Sequence, residues 1–403
     1  MPDNHPGGIL GRTRAFAFCG GRYVFYESTL SVLLNSDSLR VFPTRKLSCM
    51  ATVPIKSLDT KLARIVADPD CRDFILADAK DADMAFGLAA PGLRPAGTAG
   101  VGPYRSIHDY RDQIREIVRQ GLVDIMLMSG STSECLTIDE GLFADSPVTP
   151  AVRMNDTTDI WLAAGTGSYA RQPALPFSTI TIPQAQRGHA TPPVGSLPPA
   201  VDLGLFSLTL NDDASLDRAM LLAYKEFRLA AEQAGFRHFL EVFFPNALGR
   251  VPGCGPDEKP RDIARFLADH VVRALAGVPR AGRPVFLKIP YLGPEVTEQL
   301  AAYDRSVVVG ILGGGAGTTH DAFALVAEAK RHGARVALFG RKINAAEDQL
   351  TFVRLLRAVA DDELAPEAAV RHYHNDLAAM RIVPNRSLDD DLARTPTLAA
   401  YGG

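Results

Sequence analysis

The chain is predicted to be an α/β protein, a single (β/α)8 TIM barrel with a long insertion after strand 3 and a terminal helix. Three observations carry this. From Phe74 onward, eight short apolar runs alternate with longer amphipathic stretches. Most of the runs are near-continuous hydrophobic segments, as strands covered on both faces are. The eight units span roughly 270 residues, close to the size of such a barrel. A doubly wound open sheet is the competitor. It has fewer parallel strands and often a Gly-rich first turn, whereas here the Gly-rich turn follows the seventh run.

The strands are expected at Phe74–Asp78, Val123–Met128, Pro150–Met154, Leu203–Leu210, His238–Phe244, Pro284–Ile289, Ser306–Leu312 and Arg335–Phe339. Helices are expected between them. In Ser215–Gly235, Leu216, Met220, Ala223, Phe227, Ala230 and Ala234 recur on one face and Gly235 ends the run. Ile107–Gly121, Pro260–Gly277, Thr319–Gly333 and Glu347–Ala360 pattern similarly. Thr157–Ala200 holds seven prolines and reads as a long βα insertion on the catalytic face, with a small hairpin at Ser178–Pro183. Residues 1–49 carry no sustained period and read as a disordered extension or a misassigned start, with Met50 an alternative start. The barrel is expected over residues 50–385, and a loose tail over 386–403.

Composition narrows the function classes. The 403 residues include 43 Lys+Arg and 46 Asp+Glu, a net charge of −3. That balance lacks the clustered cations a nucleic-acid partner requires. No apolar run approaches the roughly 20 residues of a membrane-spanning helix, so no membrane partner is expected. The five cysteines are scattered without a CxxC pair, which fits reduced thiols and a cytoplasmic location.

Lys288 is the best chemical lead. It is one lysine inside an otherwise apolar strand, Val285-Phe286-Leu287-Lys288-Ile289, at the C-terminal end that faces a barrel's active site. An ammonium is costly to desolvate there, and a neutral amine is the form that attacks a carbonyl. A strand-end lysine that reaches solvent is the plain alternative. The fifth run, Phe239-Leu240-Glu241-Val242-Phe243, carries one carboxylate, and strands about 4.8 Å apart would let Glu241 face Lys288. A proton shuttle and a simple buried ion pair both predict that proximity. Asp78 ends the first run as a candidate acid/base or hydroxyl-binding group. Asp81 and Asp83 read as a solvated loop, and Lys80 ranks below Lys288 as nucleophile.

Gly313, Gly314 and Gly315 form a Gly-rich turn that opens a helix, a setting suited to phosphate. The pattern is neither a P-loop nor a dinucleotide fingerprint. The eighth run ends Phe339-Gly340-Arg341-Lys342, and barrels often bind phosphate with the loops after strands 7 and 8.

These motifs together resemble the class I (Schiff-base) aldolases related to archaeal-type fructose-bisphosphate aldolase. Pro-Val-Phe-Leu-Lys288-Ile-Pro-Tyr-Leu-Gly resembles that family's lysine strand, and Gly313–Gly315 with Gly340-Arg341 resembles its two phosphate loops. The segment Phe239–Asn246, with Glu241, is closer to the tagatose-bisphosphate aldolase branch, and Asp78 matches the acid of the first strand. Two positions depart: the fourth strand, Leu205–Asn211, lacks the tyrosine of the fructose branch, and Ala79 stands where that branch often has His. The resemblance implies a lyase that forms an imine at Lys288, with Glu241 moving protons and no cofactor. It implies a small phosphorylated sugar or keto substrate and a homo-oligomer. A metal-dependent aldolase and a barrel serving as a phospho-ligand sensor or scaffold are the rivals.

Overall fold

In a computed structural model of the chain, the described residues are 10–19, 22–31, 34–35, 38–39, 55–94, 100–157, 171–193, 198–247, 262–314 and 317–395. Two units are distinct, Met1–Ile55 and Lys56–Gly403. In the first, Leu10–Cys19 pairs antiparallel with Arg22–Ser31. Sequence patterning assigns no strand there.

The second unit is the barrel. Its strands are β1 (Ile75–Lys80), β2 (Ile125–Met128), β3 (Thr149–Arg153), β4 (Leu203–Thr209), β5 (Arg237–Phe243), β6 (Leu287–Lys288), β7 (Gly310–Leu312) and β8 (Val336–Phe339). Each pairs parallel with its neighbour from β1 to β6, and β8 joins β7 to β1. The ring closes between β6 and β7: Leu287 N donates to Val308 O at 2.8 Å and Ile289 N to Gly310 O at 3.0 Å. All eight predicted strands are present.

Alternation along the strands separates two cores. Ile75, Ala77, Ile125, Leu127, Leu205, Phe239, Phe286 and Leu338 fill the lumen, where Phe239 stacks on Phe286 with centroids 4.6 Å apart. The intervening Leu76, Met126, Met128, Leu240, Leu287 and Phe339 face outward into the helical layer. That layer comprises α2 (Ile107–Gln120), α3 (Ala214–Ala234), α4 (Ile263–Ala276), α5 (Pro294–Tyr303), α6 (Thr319–Arg331), α7 (Arg341–Asn344), α8 (Gln349–Ala360) and α9 (Pro366–Ala379). Before them, α1 (Ser57–Ala67) inserts Leu58 among the first lumen residues and so plugs the N-terminal mouth.

The expected hairpin at Ser178–Pro183 is not formed. Phe177 instead pairs back to Asp156, and Ile182–Arg187 is a helix. Thr181 and Gln184 make a capping box and Pro183 sits in the first turn, so the local signals specify a helix start. No described helix is long and apolar enough to cross a membrane.

Candidate active site

Above the apolar lumen, the next inward residues of five strands are polar. Ala79, Ala151, Leu205, Phe239 and Phe286 give way to Asp81, Arg153, Ser207, Glu241 and Lys288, all buried. Parallel register sets Glu241 beside Ser207 on β4 and beside Lys288 on β6. Lys288 Nζ lies 2.6 Å from Glu241 Oε1. Ser207 Oγ donates to Glu241 Oε2 at 2.7 Å.

Arg153 ties this pair to the other side of the lumen. Its Nη2 donates to Ser207 Oγ at 3.1 Å, and its Nη1 to Asp81 Oδ2 at 2.8 Å and lies 3.8 Å from Glu241 Oε2. Nη2 is also 3.3 Å from Asp156 Oδ1, and Nε donates to the Asn155 carbonyl at 2.9 Å. Burial opposes the Arg153 charge, but Asp81, Glu241 and Asp156 outweigh it and hold the guanidinium above its ordinary value. Asn155 accepts from Ser207 N at 2.6 Å and donates to Ser207 O at 2.9 Å, which locks the top of β4. The result is one hydrogen-bonded chain that leaves each oxygen of Glu241 with a defined partner.

Asp78 is not part of it. It pairs in register with Met126 and Phe339, which both face the helices, and so carries the outward parity of β1. Its Oδ2 is 3.3 Å from Lys80 Nζ, and both side chains are fully buried. Lys80 donates to Asn344 on α7 and to Gln349 on α8, the latter at 3.0 Å. Burial lifts the Asp78 carboxyl to about 6, with Lys80 restraining the rise, and burial likewise lowers Lys80. The first-strand acid facing the lumen is therefore Asp81, which the sequence pattern assigns to a solvated loop. Asp83 is also engaged, its Oδ2 accepting from Ser129 Oγ at 2.6 Å.

The two glycine loops lie side by side. Gly313 N donates to Leu338 O at 2.7 Å, and Lys342 Nζ donates to Gly317 O at 2.6 Å. Gly314 has φ of +60°, and a Cβ on Gly340 would come within 2.6 Å of the Ala79 carbonyl. Gly315 lies outside the described residues. Arg341 begins α7 directly after Gly340. The N-terminus of α6 is already supplied with acceptors: Thr318 N donates to Asp321 at 2.8 Å and Thr319 N to Asp391 at 2.7 Å. Those two donors are occupied, so they are not free at the N-terminus of α6 to meet an anion.

Sequence patterning missed Arg153, Ser207 and Asp81. The signal was present, since each continues the inward alternation of its strand. Among the described residues no three His, Cys, Asp or Glu side chains are grouped to hold a metal ion.

No protein-family model matches the chain, and no curated protein matches it. Solved structures do. A Schiff-base-forming fructose-1,6-bisphosphate aldolase is 16% identical, with a TM-score of 0.50 over 75% of this chain and 100% of that one. The fructose-bisphosphate aldolase from Slackia heliotrinireducens is 16% identical, with a TM-score of 0.51 over 81% of this chain and 95% of its own. An archaeal fructose 1,6-bisphosphate aldolase is 15% identical, with a TM-score of 0.50 over 76% and 100%. The chain shares their barrel fold.

Proposed function

We propose that the chain is a class I aldolase that cleaves or forms a carbon–carbon bond of a phosphorylated sugar or keto compound through an imine on Lys288. The observation that carries this is the 2.6 Å contact between the buried Lys288 amine and the Glu241 carboxylate on the adjacent strand. Lys288 in its neutral form attacks the substrate carbonyl, and the carbinolamine loses water to give the iminium. Glu241 takes the hydroxyl proton as the carbon–carbon bond breaks and returns a proton to the enamine, after which water releases the ketone. Arg153 and Ser207 fix which Glu241 oxygen faces the amine. Asp81 replaces Asp78 as the candidate hydroxyl-binding acid. Gly313, Gly314, Gly315, Gly340 and Arg341 are the proposed phosphate contacts.

Lys288→Arg tests the nucleophile. It keeps a cation for Glu241 but cannot form an imine, so turnover is expected to vanish with the fold intact. A variant that retains turnover would make the pair structural and remove Lys288 as the nucleophile. Glu241→Gln is expected to slow turnover about 10²–10⁴-fold while the imine still forms.

A further inference from the structure

Beside Arg153, a cleft of about 440 Å³ opens near the C-terminal ends of β1, β2 and β3. Its walls include Asp83, Ser129, Ser131, Glu134, Arg153 and Gln184. That volume suits several carbons of a small ligand. Among the described lining residues, Arg153 is the one cation, and it is committed to Asp81, Asp156, Ser207 and the Asn155 carbonyl. Asp83 uses Oδ2 for Ser129, while its Oδ1 is buried without a partner. A buried acceptor without a donor is unfavourable until a donor arrives.

We infer that this cleft holds the phosphate-free, hydroxyl-bearing end of the substrate, so that the substrate class is a monophosphate rather than a bisphosphate. The inference rests on the proposed function for the other end, where the two glycine loops take the single phosphate. A hydroxyl donates to Asp83 Oδ1, and further hydroxyls meet Ser129, Ser131 and Gln184. A second phosphate would instead face Asp83 and Glu134, with no uncommitted cation among the described lining residues to neutralise it. Unneutralised like charges are a device for rejecting the wrong ligand.

Calorimetric titration of the full chain with fructose 1-phosphate and with fructose 1,6-bisphosphate tests this. The monophosphate is expected to bind at least about tenfold tighter, because unneutralised like charges disfavour the bisphosphate. Glu134→Gln, at an exposed position, and the double variant Asp83→Asn/Glu134→Gln are expected to narrow that ratio by improving bisphosphate binding. Equal or tighter binding of the bisphosphate, a ratio unmoved in both variants, or no binding of either sugar would overturn the assignment. Borohydride reduction of the same mixtures separates it from the imine proposal. Monophosphate preference without a trapped lysine keeps the cleft and removes the imine, whereas trapping with the bisphosphate preferred does the reverse.

Discussion

Arg153 organises the site at the scale of single residues, because three carboxylates converge on it inside the lumen. Arg153→Met would strand those charges and is expected to destabilise the fold by about 3–5 kcal/mol in urea titrations. Arg153→Lys keeps the charge but not the planar fork, so it is expected to preserve the fold and lower kcat by releasing Glu241. An unchanged kcat would make the contact to Ser207 incidental. Asp78 and Lys80 call for the opposite expectation. Lys80→Met alone is expected to lose about 3 kcal/mol, while Lys80→Met/Asp78→Asn recovers most of it and keeps turnover. Loss of turnover in that double variant would restore Asp78 to the mechanism. The Asp78 carboxyl also has a pH signature, since its folded value, about 6, lies above the ordinary 3.8. The folded state binds that proton more tightly, so this contribution to stability declines as pH rises from 3.8 to about 6. Asp78→Asn is expected to remove the decline in urea titrations across that window. Lys288 and Glu241 were legible in the sequence because each is a lone charge in an apolar run. Asp78 misled because its run was read by content and not by parity: a strand's inward side is fixed by every second residue, and Asp78 is one step out of phase with Ala77 and Ala79.

At the scale of elements, the eight strands and the principal helices follow from patterning and caps. The α2 helix opens with a Ser106–Asp109 capping box and closes on Gly121 at φ of +70°. The α3 helix is capped by Asp213 and closed by Gly235 at φ of +61°. The α1 helix is not among the elements assigned from the sequence, although Leu58, Leu62 and Ile65 stand at helical spacing and all three pack on the lumen cluster. What patterning could not supply is the packing of the C-terminal segment onto the β7 loop. There α10 (Leu388–Leu392) follows Arg381 at positive φ and brings Asp391 to the start of α6. Thr318 Oγ1 donates to Ala393 O at 2.8 Å, and His374 Nε2 lies 3.0 Å from Asp391 Oδ2. Asp391→Asn removes an anion from the positive end of α6 and is expected to lower stability by about 0.3–2 kcal/mol, read as a lower Tm. Gly314→Val tests the neighbouring turn. A β-branched residue at φ of +60° distorts the backbone, so KM is expected to rise far more for phosphorylated than for dephosphorylated substrates. Equal effects on both would remove the phosphate assignment.

At the scale of the whole molecule, the closed ring explains why the polar residues meet. Sequence positions 81, 153, 207, 241 and 288 are far apart along the chain, yet parallel register brings all of them to one end of the lumen. The barrel unit begins at Lys56. A chain starting at Met50 retains that whole unit and is expected to keep solubility and turnover, and loss of either would tie the first 49 residues to the barrel. Whether Lys288 is the imine-forming residue can be measured directly. Full-length protein is mixed with a candidate ketose phosphate, reduced with borohydride, digested and analysed by mass spectrometry. The substrate mass is expected on the peptide carrying Lys288, and is expected to be absent in Lys288→Arg. A mass increment on Lys80 instead, or none with a substrate the protein turns over, would contradict it.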